Sequence, residues 1–140
     1  MATLLASAAR TSSNNSGALN LTHVSGMRAA AFLLNVTAAA TDAGDTLDVY
    51  VQHSTDGGTT YDDFIHFTQV LGNGGAKKFV AHWVGTIAPT SALHAPADAA
   101  LAAGVNQGPI GDTLRVKWVI VDAGTANVSF TFTVTMSPTR

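Results

Sequence analysis

Three aspartates near the middle of the chain are the first candidates for a chemical site. Asp62 and Asp63 are adjacent, and Asp56 precedes them by six residues. Carboxylate oxygens are the ligands that Ca²⁺ prefers. Adjacent residues of a β-strand point to opposite faces, however, so Asp62 and Asp63 do not converge on one ion, and the spacing of an EF-hand loop is absent. We therefore expect no metal site here.

A turn pattern directly precedes this pair. It follows the spacing Ser-x-Asp-x-Gly-x-Thr-Trp of the Asp-box, with Tyr in place of Trp, through Ser54, Asp56, Gly58, Thr60 and Tyr61. The Asp carboxylate can accept backbone N–H groups across a tight turn, Gly supplies positive φ, and the aromatic ring can pack at the hairpin base. In glycosidase propellers the motif recurs in many blades and is structural. Here it occurs once, so we interpret it as a structural turn, and we weigh a sugar-binding role as the lesser alternative.

The histidines and hydroxyl residues predict no catalytic or zinc site. No His-x-His or His-x-x-x-His spacing occurs, and we interpret the histidines as partly exposed strand residues. His66 and His82 approach each other if residues 61–70 and 77–84 form a hairpin. A Gly-x-Ser-x-Gly elbow, a cysteine nucleophile and a glycine-rich phosphate loop are all missing, so we expect neither an enzyme nor a cofactor. The five histidines are His23, His53, His66, His82 and His94.

Composition predicts a single domain whose surface is partly covered by neighbours. The chain has 140 residues, no Cys, and nine acidic residues that are all Asp. Only 11% of its residues are charged, against about 25% in an ordinary soluble domain. The net charge of −2 argues against nucleic acid or an anionic membrane as a partner. No apolar run approaches the roughly 20 residues that a membrane-spanning helix needs.

Alternation of apolar and polar residues predicts the elements. In residues 128–136 Val, Phe and Met alternate with Ser and Thr, which gives a strand one apolar face. Similar patterns recur, and we expect about seven or eight strands in an all-β, antiparallel β-sandwich of jelly-roll or Ig-like type over residues 17–140. The last two strands are expected to form a hairpin. Within the long excursion 85–111, Pro96 and Gly104 bracket an Ala-rich stretch that predicts one short helix.

Residues 1–16 are predicted to form an N-terminal arm. Residues 1–10 can make a short strand, and the polar run that follows has the composition of a hinge. The segment lacks a basic residue ahead of its short apolar run, so we expect it to belong to the mature chain. Leu4 and Leu5 of this arm, together with Leu93 and Leu101 of the excursion, are the expected contacts with a partner.

Several of these features together resemble the small all-β virion proteins of tailed bacteriophages. They are the arm, the Ser54–Tyr61 hairpin, the Leu-Arg-Val-Lys-Trp strand (114–118) and the Phe-Thr-Phe-Thr-Val-Thr strand (130–135), within a resemblance that covers most of residues 27–137. The resemblance implies a structural role in the virion and no catalytic residues. We expect a capsid decoration or cement protein, oligomeric, that binds the major capsid protein or other virion proteins.

Two other functions fit the same sequence. A head–tail or tail component would use the same sandwich to assemble into rings or tubes. A carbohydrate- or receptor-binding module would need exposed aromatic side chains. Trp83 and Trp118 fall on the apolar faces of their strands, which favours core packing over a stacking platform for sugars.

Overall fold

The computed structural model describes residues 1–20, 26–124 and 126–139. Seven strands in these ranges have five or more residues, and four are two-residue pieces. In chain order they are β1 (Ala2–Arg10), β2 (Asn14–Asn15), β3 (Leu19–Asn20), β4 (Ala29–Ala38), β5 (Thr46–Ser54), β6 (Asp62–His66), β7 (Val70–Leu71), β8 (Lys77–Val84), β9 (Gly104–Val105), β10 (Thr113–Val121) and β11 (Phe130–Thr139).

The strands form two antiparallel sheets packed face to face, which confirms the predicted all-β sandwich. Sheet A has the order β1-β11-β4-β8. Sheet B has the order β2-β10-β5-β6-β9, with β3 also on β10 and β7 also on β5. One hydrophobic core lies between the sheets and draws side chains from both.

The core follows the alternation that the sequence shows. In β11, Phe130, Phe132, Val134 and Met136 have no exposed surface, while the threonines between them remain half-buried. Phe32 of sheet A meets Phe64 of sheet B edge to face, with ring centroids 5.5 Å apart. Burying each such side chain contributes about 1.5–3 kcal/mol, so this layer provides most of the stability.

Neighbouring strands in the sequence are not always neighbours in a sheet. The predicted final hairpin is wrong, because β10 pairs with β5 in sheet B whereas β11 pairs with β4 and β1 in sheet A. Both strands carry an apolar face, and stacking the two faces covers both at once. β6 and β8 also belong to different sheets, so His66 and His82 are not cross-strand partners.

The first ten residues form a strand of the sandwich instead of a free arm. β1 pairs with β11 at the edge of sheet A. Leu4 and Leu5 are buried in the core, with 3% and 9% of their surface exposed. Burial of two leucines is more favourable in the chain's own core than on a mobile arm. These two residues are therefore unavailable as partner contacts in this structure.

The polar run that follows β1 lies along the edge of β10. Ser16 donates its backbone N–H to the Val116 carbonyl at 2.9 Å, and its hydroxyl accepts the Val116 N–H at 3.0 Å. The Ser13 hydroxyl accepts the Ile120 N–H at 2.8 Å. Short hydroxyl side chains can satisfy backbone groups of an edge strand in this way. The boundary predicted at residue 16 thus falls inside the sandwich.

The short helix predicted around residues 95–104 is wrong. In the described residues this stretch contains only β9, and Ala99 has a positive φ of 57°. Such a backbone cannot continue a right-handed helix. No helix forms because backbone N–H groups of this stretch bond to the carboxylates of Asp62 and Asp63 in β6.

Candidate interaction surface

The excursion 85–111 contacts both sheets, and its residues 98 and 99 bond to side chains of β5, β6 and β10 in sheet B. Its segment 86–96, called here the outer tip, is exposed throughout. Leu93 has 93% of its surface exposed and Ile87 has 50%. The outer tip contains no Asp, Lys or Arg, and His94 is its one ionisable residue. An apolar, nearly uncharged surface of this kind is available for contact with another macromolecule.

Asp63 of β6 fixes the base of the outer tip. Its carboxylate is 1% exposed and binds the segment 97–101, called here the anchor segment. One oxygen accepts the Ala99 N–H at 3.1 Å, and the other accepts those of Ala100 and Leu101 at 2.8 and 3.1 Å. The Gln52 amide donates to the same carboxylate at 2.5 Å. Four donors around one buried carboxylate make a strong, fully satisfied contact.

The positive φ of Ala99 explains how three successive N–H groups reach one carboxylate. Successive amides alternate in direction along an extended chain, but a residue in the left-handed region turns them into a concave nest that binds an anion. Ala99 takes this conformation at φ 57°. The Asp63 carboxylate therefore stabilises backbone that the Ala-rich sequence alone would not adopt.

Asp62 binds the same part of the chain from the neighbouring position. It accepts the Ala97 N–H at 2.8 Å, and its other oxygen lies 2.5 Å from Nε2 of His94. His53 Nε2 is 3.9 Å from that second oxygen. The two oxygens of Asp62 thus bond to the main chain and to a side chain of the excursion. Both aspartates therefore bind the excursion.

His53 is a neutral histidine at this position. Its Nδ1 accepts the Gly111 N–H at 2.9 Å, which places the ring proton on Nε2, facing Asp62. Burial lowers the pKa of His53, and the nearby Asp62 carboxylate opposes that shift only in part. A ring in this tautomer does not offer Nε2 to a cation.

A charged network joins the anchor segment to β10. Asp98 accepts Lys117 Nζ at 2.7 Å, an Arg115 Nη at 3.1 Å and Gln52 Nε2 at 2.9 Å. Partial burial raises the pKa of Asp98, but the hydrogen bond from Gln52 and the two cations outweigh it, so the net shift is downward. Because Asp98 is half exposed, these pairs orient the loop more than they stabilise the fold.

His66 ties the end of the anchor segment to sheet B. Its Nδ1 lies 2.6 Å from the Leu101 carbonyl and its Nε2 lies 2.9 Å from Asp48 Oδ1. The ring stacks on Tyr50 with centroids 4.1 Å apart. Both ring nitrogens therefore face oxygen atoms of the protein. Leu101 is consequently held through both its N–H, by Asp63, and its C=O, by His66.

The Asp-box residues form one closed turn between β5 and β6. The Ser54 hydroxyl donates to Asp56 Oδ1 at 2.7 Å and accepts the Gly58 N–H at 2.8 Å. The Asp56 carboxylate accepts the Thr60 N–H at 2.8 Å and the Thr60 hydroxyl at 2.7 Å. These bonds lower the pKa of Asp56 to about 2, and the hydrogen bond from the Thr60 N–H has the largest effect. Tyr61 is buried beneath the Arg115 guanidinium, 3.8 Å from the ring centroid.

The four leucines predicted as partner contacts have different environments. Leu93 is fully accessible on the outer tip, whereas Leu101 is half-buried in the anchor segment. Leu4 and Leu5 lie in the core. The residues that sequence reasoning missed are Asp62 and Asp63 in their role as anchors. Their adjacency was visible, but their backbone partners lie 35 to 38 residues further along the chain.

The aromatic residues provide no platform for sugar stacking. All six Phe, two Trp and two Tyr fall within the described ranges, and none is exposed. Trp83 and Trp118 are 2% and 7% exposed. Their indole N–H groups donate to the carbonyls of Gly108 and Ser12, both at 2.9 Å. The structure thus confirms that both tryptophans pack in the core.

Two further features of the described residues concern metal ions and membranes. No group of three or more His, Cys, Asp or Glu side chains there is arranged to hold a metal ion. Nor does any helix in those ranges have the length and apolar character to cross a membrane. His23, one of the five histidines considered above, lies outside the described residues.

Comparisons of the chain with protein-family models, with curated proteins and with solved structures find no match.

Proposed function

We propose that this chain is a structural protein of a tailed-phage virion, a decoration or cement protein that binds the head shell through its outer tip. The observation that carries the proposal is the exposure of Leu93 on a loop whose base is fixed by Asp62 and Asp63. A single exposed leucine is ordinary on a protein surface. An exposed leucine on an uncharged loop whose base is held by two carboxylates supports a role in binding another protein.

The fixed base makes binding by this loop more favourable. Burying Leu93 and half of Ile87 against a partner would contribute roughly 2–4 kcal/mol of hydrophobic free energy. A mobile loop would lose part of that gain, because ordering its residues opposes association. Here the anchor segment already holds the backbone before any partner arrives. The major capsid protein is the partner we propose, with self-association of the chain into a homo-oligomer on the shell.

The test replaces Leu93 on the outer tip. Head shells prepared without this protein are mixed with wild type or with Leu93→Ser, and binding is measured by co-sedimentation. We expect affinity to fall by at least tenfold, because about 1.4 kcal/mol or more of apolar contact is lost. Val121→Ser is the matched control, since Val121 is 51% exposed on β10 and lies outside the excursion.

The outcomes separate the candidate functions. Unchanged binding of Leu93→Ser would contradict the role of the outer tip. Failure of wild type to bind shells, with large oligomers measured by mass photometry, would favour a head–tail or tail component that assembles into rings or tubes. The buried aromatic residues count against the carbohydrate-binding alternative, and a glycan array would measure it directly.

A further inference from the structure

The two edges of sheet A differ in how they are protected from pairing with another strand. β1, at one edge, is irregular, with register shifts between Thr3 and Leu5 and between Leu5 and Ala8. The Arg10 guanidinium also bonds to the carbonyls of Ala6 and Ala8, at 2.8 and 2.9 Å. Bulges and charged side chains are the usual means of blocking an edge strand. The opposite edge, β8, pairs with β4 in an unbroken register from Lys77 to Val84.

Gln107 of the excursion occupies one end of the β8 edge. Its side-chain oxygen accepts the Val84 N–H at 2.6 Å, and its side-chain nitrogen donates to the His82 carbonyl at 3.0 Å. A residue of an adjacent strand running parallel to β8 would bond to the same two backbone groups. Gln107 therefore shows which backbone groups of β8 point away from β4.

The rest of this edge has no such cover. Outward-pointing backbone groups recur at every second residue of a strand, so those of Val80 and Lys78 point the same way as those of His82. Within the described part of the chain, no hydrogen bond satisfies these outward groups of Val80 or Lys78. Val80 is also 58% exposed.

A groove of about 430 Å³ lies beside this free edge. The β8 residues from Lys78 to His82 form one side, and residues 103–105 and 66–68 form the other. Phe67 and Phe79 contribute apolar surface to it. A groove next to unpaired strand groups is the arrangement to which an extended peptide adds by β-augmentation.

The charge of the groove indicates the chemistry of the peptide. Lys78, His66 and His82 line it, and no Asp does. Lys77 precedes Lys78 in β8, and His66 is already bonded to the Asp48 carboxylate. A basic or purely apolar strand would leave Lys78 unpaired, whereas an acidic residue near it would gain a charge pair.

We propose that the free edge of β8, from Lys78 to Ala81, binds an extended acidic segment of a partner protein by strand addition. The segment pairs its backbone with Val80 and Lys78 and places a carboxylate beside Lys78, and Gln107 ends the register at His82. The site is separate from the outer tip and does not depend on the function proposed above.

The test uses a synthetic peptide. The probe is a fluorescent peptide of about six alternating Val and Thr residues, an ordinary strand length, with Asp at both ends. Two controls are the same peptide with Lys in place of Asp, and the acidic peptide N-methylated on alternate backbone nitrogens. We expect fluorescence anisotropy to show saturable binding of the acidic peptide, and affinities at least about tenfold weaker for both controls.

Variants of β8 complete the test. Val80→Pro removes an outward N–H and leaves the ladder to β4 intact, and Val80→Thr is its matched control. Lys78→Glu reverses the charge in the groove, with Arg28→Glu as a control outside it. We expect Val80→Pro and Lys78→Glu each to weaken peptide binding at least about tenfold, with both controls near wild type. Circular dichroism checks folding, and Lys78→Glu keeps the test decisive if Val80→Pro does not fold.

Three results would overturn the proposal. They are no binding of the acidic peptide to wild type, equal binding of the N-methylated peptide, and a wild-type dimer that Val80→Pro dissociates. The last would assign the edge to a second copy of the chain. None of these results bears on Leu93, so this test and the head-shell test fail independently.

Discussion

At the residue scale, the aspartates differ in whether the sequence indicates their hydrogen-bond partners. The Asp56 turn was predictable, because every partner of its carboxylate lies within four residues and the spacing itself states the contacts. The anchoring role of Asp62 and Asp63 was not predictable in that way. Their backbone partners are 35 to 38 residues away, and no local pattern pairs them.

Replacing Asp63 should destabilise the fold more than replacing any exposed acid. Asp63→Asn introduces an amide NH₂ among backbone N–H donors and leaves at least one of them unsatisfied. We expect the free energy of unfolding to fall by about 2–3 kcal/mol, as measured by urea denaturation. Asp98→Asn is the matched control, since Asp98 is half exposed, and should cost less than about 1 kcal/mol. Equal losses in the two variants would show that Asp63 is not a structural anchor.

At the element scale, strands were easier to predict than the segments between them. The alternation in residues 113–121 and 130–136 follows directly from one buried face, and both strands appear. The prediction of a helix in the excursion was wrong because the Asp63 carboxylate in β6 binds the backbone N–H groups that a helix would use for its own hydrogen bonds. The prediction of a free arm was wrong because a polar run can also pair with a strand edge through its hydroxyl groups.

Shortening Leu4 tests the position of β1. Leu4 is 3% exposed in the core, so Leu4→Ala removes buried methyl groups and leaves a cavity. We expect a loss of about 2–4 kcal/mol in the free energy of unfolding, measured by chemical denaturation. Thr3→Ala is the control on the exposed face of the same strand. If Leu4→Ala unfolds like wild type, residues 1–10 are a free arm after all.

At the scale of the whole molecule, the sandwich was predictable and its topology was not. Alternating faces require two covered sheets, but they do not say which strand joins which sheet. β10 and β11 show this, because either strand could have paired with the other or been stacked against it. The low charge of the chain likewise predicts contact with other subunits without saying where. We propose the outer tip, which is exposed and whose base Asp62 and Asp63 bind, as that location.

Amide hydrogen exchange, in the free protein and in the protein bound to head shells, is the most direct test of the anchored outer tip. We expect residues 99–101 to be already protected in the free protein by the Asp63 carboxylate. We also expect the outer tip, residues 86–96, to exchange rapidly in the free protein and slowly in the bound protein. Rapid exchange of 99–101 in the free protein, or an outer tip whose exchange is unchanged on the shell, would contradict the proposed role of this loop.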